Sequence, residues 1–149
     1  TTWWLVNASL SGMIIANTFN ALFFSIIFLF YQWGRKRLPS NGSYILLIST
    51  WVSFEKLHLL WSISWPWLNL GNGFSDYIYW VQWYEYTGTM GGTLWILILN
   101  IGFFETFKNL KKPYMIKNIL NKSLKLILGI TFPILISLPS LFVIVAGHS

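Results

Sequence analysis

The stretch "MIIANTFNALFFSIIFLF", Met13 to Phe30, contains no charged residue. Extended by its flanks to about residues 5–33, it exceeds the roughly 20 mostly apolar residues that a helix needs to cross about 30 Å of hydrocarbon. The whole chain has the same character. Of its 149 residues 55% are hydrophobic, 19% aromatic and 9% charged, against roughly 25% charged in soluble domains. Three more stretches are long and apolar enough to span, at about 44–61, 88–107 and 126–146. The sequence therefore predicts an all-α, polytopic helical membrane protein of about four transmembrane helices, forming one domain over residues 1–149.

Ten Lys+Arg against four Asp+Glu give a formal charge of +6, which in a soluble protein would point to nucleic acid. Their positions point elsewhere. Every basic residue except Lys56 lies in "GRKR", at Arg35, Lys36 and Arg37, or in "KNLKKPYMIKNILNKSLK", Lys108 to Lys125. This is the positive-inside pattern. It puts the connections 34–43 and 108–125 in the cytoplasm, and both termini and the 62–87 loop on the outer side. No nucleic-acid partner is expected. Trp3, Trp4, Tyr31 and Trp33 flank the first span as headgroup-level aromatics, and Pro133 and Pro139 are expected to kink the fourth.

The absence of cysteine excludes a disulfide, a thiolate metal site or a cysteine nucleophile within these residues. The chain opens on Thr-Thr, and we read it as a piece of a longer protein. Within the second span, "FEKLHLLWS" places Trp51, Glu55, His58 and Ser62 on one helical face. A carboxylate at that depth costs about 2.5–3.5 kcal/mol on insertion scales, so it needs a partner or a role. Glu55-x-x-His58 matches half of a helical carboxylate metal motif, but the other histidine is His148; no metal and no cofactor is expected. Two readings stay open for Glu55: structural pairing with Lys56, His58 or a Trp indole, and a direct role at a substrate site. Gly88, Gly91 and Gly92 in "GTMGGTLWILILN" have small-residue spacing that suits close helix packing, and Asn17, Asn20 and Asn100 suit interhelical hydrogen bonds.

The 62–87 loop begins "SWPWLNLGNGF", Ser64 to Phe74, and is dense in aromatics, with only Asp76 and Glu85 charged. Pro66 blocks simple continuation of the helix, while Gly71 and Gly73 permit tight turns. Non-helical backbone at membrane depth survives only against protein or a wet cavity. We therefore expect an aromatic re-entrant outer loop over a lipid-facing cleft.

An acidic residue on a helix, then "SWPWLNLGN", then "WVQWYEYTGTMGGTLWILILN" resembles the membrane region of the apolipoprotein N-acyltransferase family in its Bacteroidetes-type form. The resemblance is most specific from Trp51 to Asn100 and extends more loosely from "WWLVNASLSGM" to "PILISLPSLF". It implies a multi-pass enzyme of the bacterial inner membrane. Such an enzyme moves an acyl chain from a phospholipid donor to the amino group of a diacylated apolipoprotein. The family's Glu-Lys-Cys chemistry belongs to a nitrilase-like domain, so no catalytic residue is assigned here, and this piece alone is expected to be inactive. Trp65, Pro66, Trp67, Asn69, Gly71, Tyr84 and Glu85 are the candidates for lipid access or for seating that domain, with Glu55 and His58 behind them. The alternative is a small four-span transporter subunit or membrane scaffold, motivated by Glu55 and Asn100 within spans.

Overall fold

The computed structural model describes residue 7 and residues 9–60, 68–110 and 123–137. Among these residues there is no strand. They form α1 (Leu10–Arg35), α2 (Ser40–Leu60), α3 (Tyr84–Leu110) and α4 (Ser123–Ser137), with 3-10 turns at Leu70–Phe74 and Ile78–Trp80 between α2 and α3. The all-α class read from the sequence is the class found. The chain divides into two compact units, Thr1–Trp51 and Val52–Ser149, the boundary falling inside α2.

In the first unit, Ser9 starts α1 by accepting the Gly12 amide at 3.2 Å on its hydroxyl, which satisfies one of the unpaired donors at a helix start. The polar side chains of α1 turn back onto their own helix: Thr18 donates to the Ile14 carbonyl, Asn20 to Ala16 and Ser25 to Ala21. This i to i−4 pairing is how hydroxyl and amide groups are satisfied without water, and it replaces the interhelical bond expected of Asn20. Asn100 in α3 does the same with the Ile96 carbonyl. Gly34 makes room for Leu46 of α2, and Trp51 packs on Phe24 and Phe28, with ring centroids 5.1 and 5.7 Å away. Where α1 ends, the Arg37 guanidinium lies over the Trp33 ring at 4.4 Å, within cation–π range.

In the second unit, proline chemistry joins α3 to α4. Pro133 has no N–H for the Gly129 carbonyl four residues earlier, yet α4 continues to Ser137. The freed carbonyl is taken by the indole N–H of Trp95 in α3, at 2.7 Å. The buried Ser137 hydroxyl lies 3.1 Å from the Pro133 carbonyl and 3.3 Å from that of Trp80, so it also ties α4 to the second 3-10 turn. Leu126 lies against Gly102, and Leu99 against Gly129. Pro139 lies outside the described residues.

Two helices, Leu10–Arg35 and Tyr84–Lys108, are long and apolar enough to cross a membrane, and only 17% of the apolar window of each is buried. A core helix of a soluble protein would have that window mostly covered. Leu29, Phe30, Phe103, Phe104 and Phe107 are instead among the exposed apolar residues. The helix expected from residue 88 begins at Tyr84 and changes direction at Gly88, whose φ of 65° and ψ of −174° are open only to glycine.

Trp95→Phe should leave the Gly129 carbonyl unpaired and cost about 1–3 kcal/mol. In a Pro133→Ala background, where an N–H at residue 133 is restored, the same change should cost less. Unfolding titrations of the four proteins in detergent micelles measure this coupling, and equal losses in the two backgrounds would show that the indole bond is not tied to the proline.

Candidate functional site

Trp51, Glu55 and His58 form the buried stripe of α2, while Lys56 and Leu57 are exposed. Glu55 is 2% exposed. A carboxyl group buried to that extent is costly unless its oxygens are hydrogen-bonded. One oxygen, Oε1, accepts the Leu70 amide at 2.9 Å, and the other, Oε2, accepts the Thr93 hydroxyl at 2.6 Å. Thr93, wholly buried, in turn accepts the Gly71 amide at 3.0 Å. Two successive amides of the Leu70–Phe74 turn are thus held, one directly and one through Thr93. Beside the structural partners expected of Glu55, which were Lys56, His58 or an indole, the structure brings it a backbone amide and a threonine hydroxyl.

The turn sits close because two glycines allow it. A Cβ at Gly71 would run into the Thr89 carbonyl oxygen, and one at Gly92 would run into the Tyr84 phenol and stand 3.0 Å from the Gly71 Cα. The Tyr84 hydroxyl donates to the Gly71 carbonyl at 2.9 Å. Glu55, Gly71, Tyr84, Gly92 and Thr93 therefore form one connected cluster, with the Asn69 side chain buried beside the turn. His58 lies one helical turn from Glu55 and stacks on Phe54 with centroids 5.3 Å apart. Glu85 is exposed. Gly91 accommodates Thr87 and Trp83, whereas a Cβ at Gly88 would meet nothing within 4 Å. Trp65, Pro66 and Trp67 lie outside the described residues.

Beside this cluster an apolar groove of about 370 Å³ opens between α3 and α4, a volume within the range of ligand sites. Trp83, Tyr86 and Thr87 line it ahead of the Gly88 break, Leu94, Trp95 and Ile98 after it, and Phe132, Pro133 and Ile136 from α4. Phe74 of the Leu70–Phe74 turn packs on Trp95 at 5.3 Å, and Trp83 meets Trp95 edge-on at 5.8 Å. Such a surface can take a hydrocarbon chain; the lining residues include the Tyr86 phenol and the Thr87 hydroxyl, and none is charged. Sequence reasoning did not single out Thr93, Trp95 or the α4 wall. A proline four residues after a carbonyl signals that the carbonyl needs a donor, and that signal could have pointed to a partner such as Trp95.

The helices and the pinned aromatic turn define a helical membrane protein with a lipid-compatible groove. Within that class, the chain belongs to the apolipoprotein N-acyltransferase N-terminal domain family, whose model matches residues 1–102. It is also similar to the apolipoprotein N-acyltransferase of Chlorobaculum tepidum, 25% identical over 115 residues. That match covers 77% of this chain and 21% of the relative, so the chain spans about a fifth of the relative's length. No solved structure matches the chain.

Glu55→Ala should leave the Leu70 amide buried without its acceptor and cost about 1–3 kcal/mol, and Thr93→Val should cost a similar amount. Because both act on the same turn, the double variant should lose clearly less than the sum. Chemical denaturation in micelles reads the cycle, and strict additivity would mean that the two residues hold the turn independently.

Proposed function

We propose that this chain is the lipid-receiving membrane part of an apolipoprotein N-acyltransferase of the bacterial inner membrane. In this reading the α3–α4 groove holds an acyl chain of the phospholipid donor. The acceptor is the N-terminal amino group of a diacylglyceryl-cysteine lipoprotein. The observation that carries the reading is the groove: an uncharged, aromatic-walled cavity of about 370 Å³ on a chain of this family. The basic connections 34–43 and 108–125 support the topology with both termini and the outer loop on the periplasmic side. Trp65, Pro66, Trp67, Asn69, Gly71, Tyr84 and Glu85 remain the proposed contacts of the outer loop with lipid or with the catalytic domain.

The chemistry of this reading needs two transfers. A thiolate attacks the ester carbonyl of the phospholipid, forming a thioester and releasing the lysophospholipid alkoxide, which takes up a proton. The lipoprotein amine then attacks the thioester, giving the amide, losing its proton to a base and freeing the thiolate. These 149 residues include no cysteine, so the nucleophile comes from outside them. What the membrane part contributes is position: an acyl tail seated in a groove limits the ester's search for the nucleophile.

The transporter alternative drew on Glu55 and Asn100. Glu55 is 2% exposed and hydrogen-bonded to Leu70 and Thr93, and Asn100 is bonded to the Ile96 carbonyl. Neither observation favours a transport path.

Filling the groove should therefore lower acyl transfer without unfolding the protein. Leu94→Trp, introduced into the protein that carries this chain together with a nitrilase-like domain, should raise KM for the phospholipid about tenfold, the effect of roughly 1.4 kcal/mol of lost binding. The assay follows transfer from phospholipid to a diacylated lipopeptide, alongside protein level. Unchanged kinetics at normal expression would remove the groove from the acyl path, and activity without any added domain would overturn the division of labour.

A further inference from the structure

We propose that Glu55 is a positioning residue for the groove. Acting through the Gly71 carbonyl and the Tyr84 hydroxyl, it latches the segment Trp83–Thr87, hinged at Gly88, as one wall of the α3–α4 groove. The functional meaning of this latch rests on the reading of the groove as an acyl-chain site; the latch itself rests on geometry.

Three observations meet here. Gly88 has φ 65° and ψ −174°, and a Cβ there would touch nothing within 4 Å. The glycine therefore serves torsion and not space, and makes residue 88 the point about which the preceding segment can turn. Residues ahead of the pivot carry turn-type amide bonds, Tyr84 to Val81, Glu85 to Gln82 and Tyr86 to Trp83, so they form a short unit distinct from the rest of α3. That unit supplies Trp83, Tyr86 and Thr87 to the groove, opposite Phe132, Pro133 and Ile136 of α4.

The hydroxyl of Tyr84 reaches from this unit to the Gly71 carbonyl at 2.9 Å. The carbonyl stays in place because the amides of Leu70 and Gly71 are held by Glu55 and Thr93. A buried carboxyl group on α2 thus sets where a groove wall on the far side of the turn can rest. Release of the phenol hydrogen bond frees the wall to swing about Gly88, and the groove then opens to a lipid chain from the side. Tyr86, 82% exposed, marks the outer edge of the moving unit.

Spin labels test this directly, since the chain has no cysteine to compete with introduced ones. Tyr86→Cys and Leu135→Cys, at exposed positions of the hinged unit and α4, would carry the labels in the full chain in phosphatidylcholine nanodiscs. The parent should give one dominant short distance. Tyr84→Phe should add a longer population, with about a fivefold rise in the open-to-latched ratio, the shift carried by one net hydrogen bond. Thr93→Val should do the same and Thr93→Ser should restore the parent distribution, a rescue that loss of general packing would not produce. A parent-like distribution in both Tyr84→Phe and Thr93→Val would overturn the latch. If Tyr84→Phe does not fold, judged by helical circular dichroism, the Thr93 pair decides by the same criterion. In the same samples, chain-labelled phosphatidylcholine should show an immobilised fraction that exchanges faster in the open variants. Shifted distances with no immobilised lipid in any sample would leave the latch standing and overturn the acyl-site reading on which its purpose rests.

Discussion

The second unit depends on one buried carboxyl group finding its donors where no water is at hand. Glu55 accepts from the Leu70 amide and the Thr93 hydroxyl, and these bonds join three segments distant in sequence: α2, the Leu70–Phe74 turn and α3. In a low-dielectric interior an unpaired carboxyl group would be prohibitive, and a paired one is correspondingly directional. That directionality is what an irregular turn packed on helices needs. An apolar loop could rest on α3 in several registers, whereas a turn whose successive amides end on Glu55 and Thr93 can rest in one.

The same accounting of backbone groups recurs on the other side of the unit. Pro133 frees the Gly129 carbonyl, and the Trp95 indole satisfies it. Ser137 reaches the Trp80 carbonyl. Each irregularity that would be penalised in hydrocarbon is met by a side chain from another element, and each such bond also draws elements together. The glycines complete this by removing bulk where segments meet: Gly71 under Thr89 and Gly92 under Tyr84. Gly88 is different, since its neighbourhood is open and its torsion is the point.

Function follows from what these constraints leave uncovered. The hydrogen-bonding groups of the cluster face inward, and the surface beside it is aromatic and aliphatic. The chain belongs to the apolipoprotein N-acyltransferase N-terminal domain family, and in the function proposed above the groove takes a hydrocarbon tail of the phospholipid donor. In that proposal the polar cluster acts at one remove, by holding one wall of the groove.

The all-α class was legible because hydropathy over some 20 residues is a sum over composition and does not depend on neighbours in space. So was the burial of the Trp51, Glu55 and His58 stripe, since helical period alone assigns a face. The Leu70 and Thr93 donors to Glu55 were not. Two of the donors it takes are 15 and 38 residues away, and only the folded chain determines which distant amide arrives. The glycine run could be read as close packing, but nothing in its spacing said that Gly88 turns the chain while Gly92 receives a tyrosine; that distinction lies in backbone torsion and in the space around each Cα. The sequence by itself determined what solvent this chain prefers and which face of α2 is buried. Tertiary structure alone decided the hydrogen bonds and the groove, because directional bonds and cavities exist only between segments that folding has brought together.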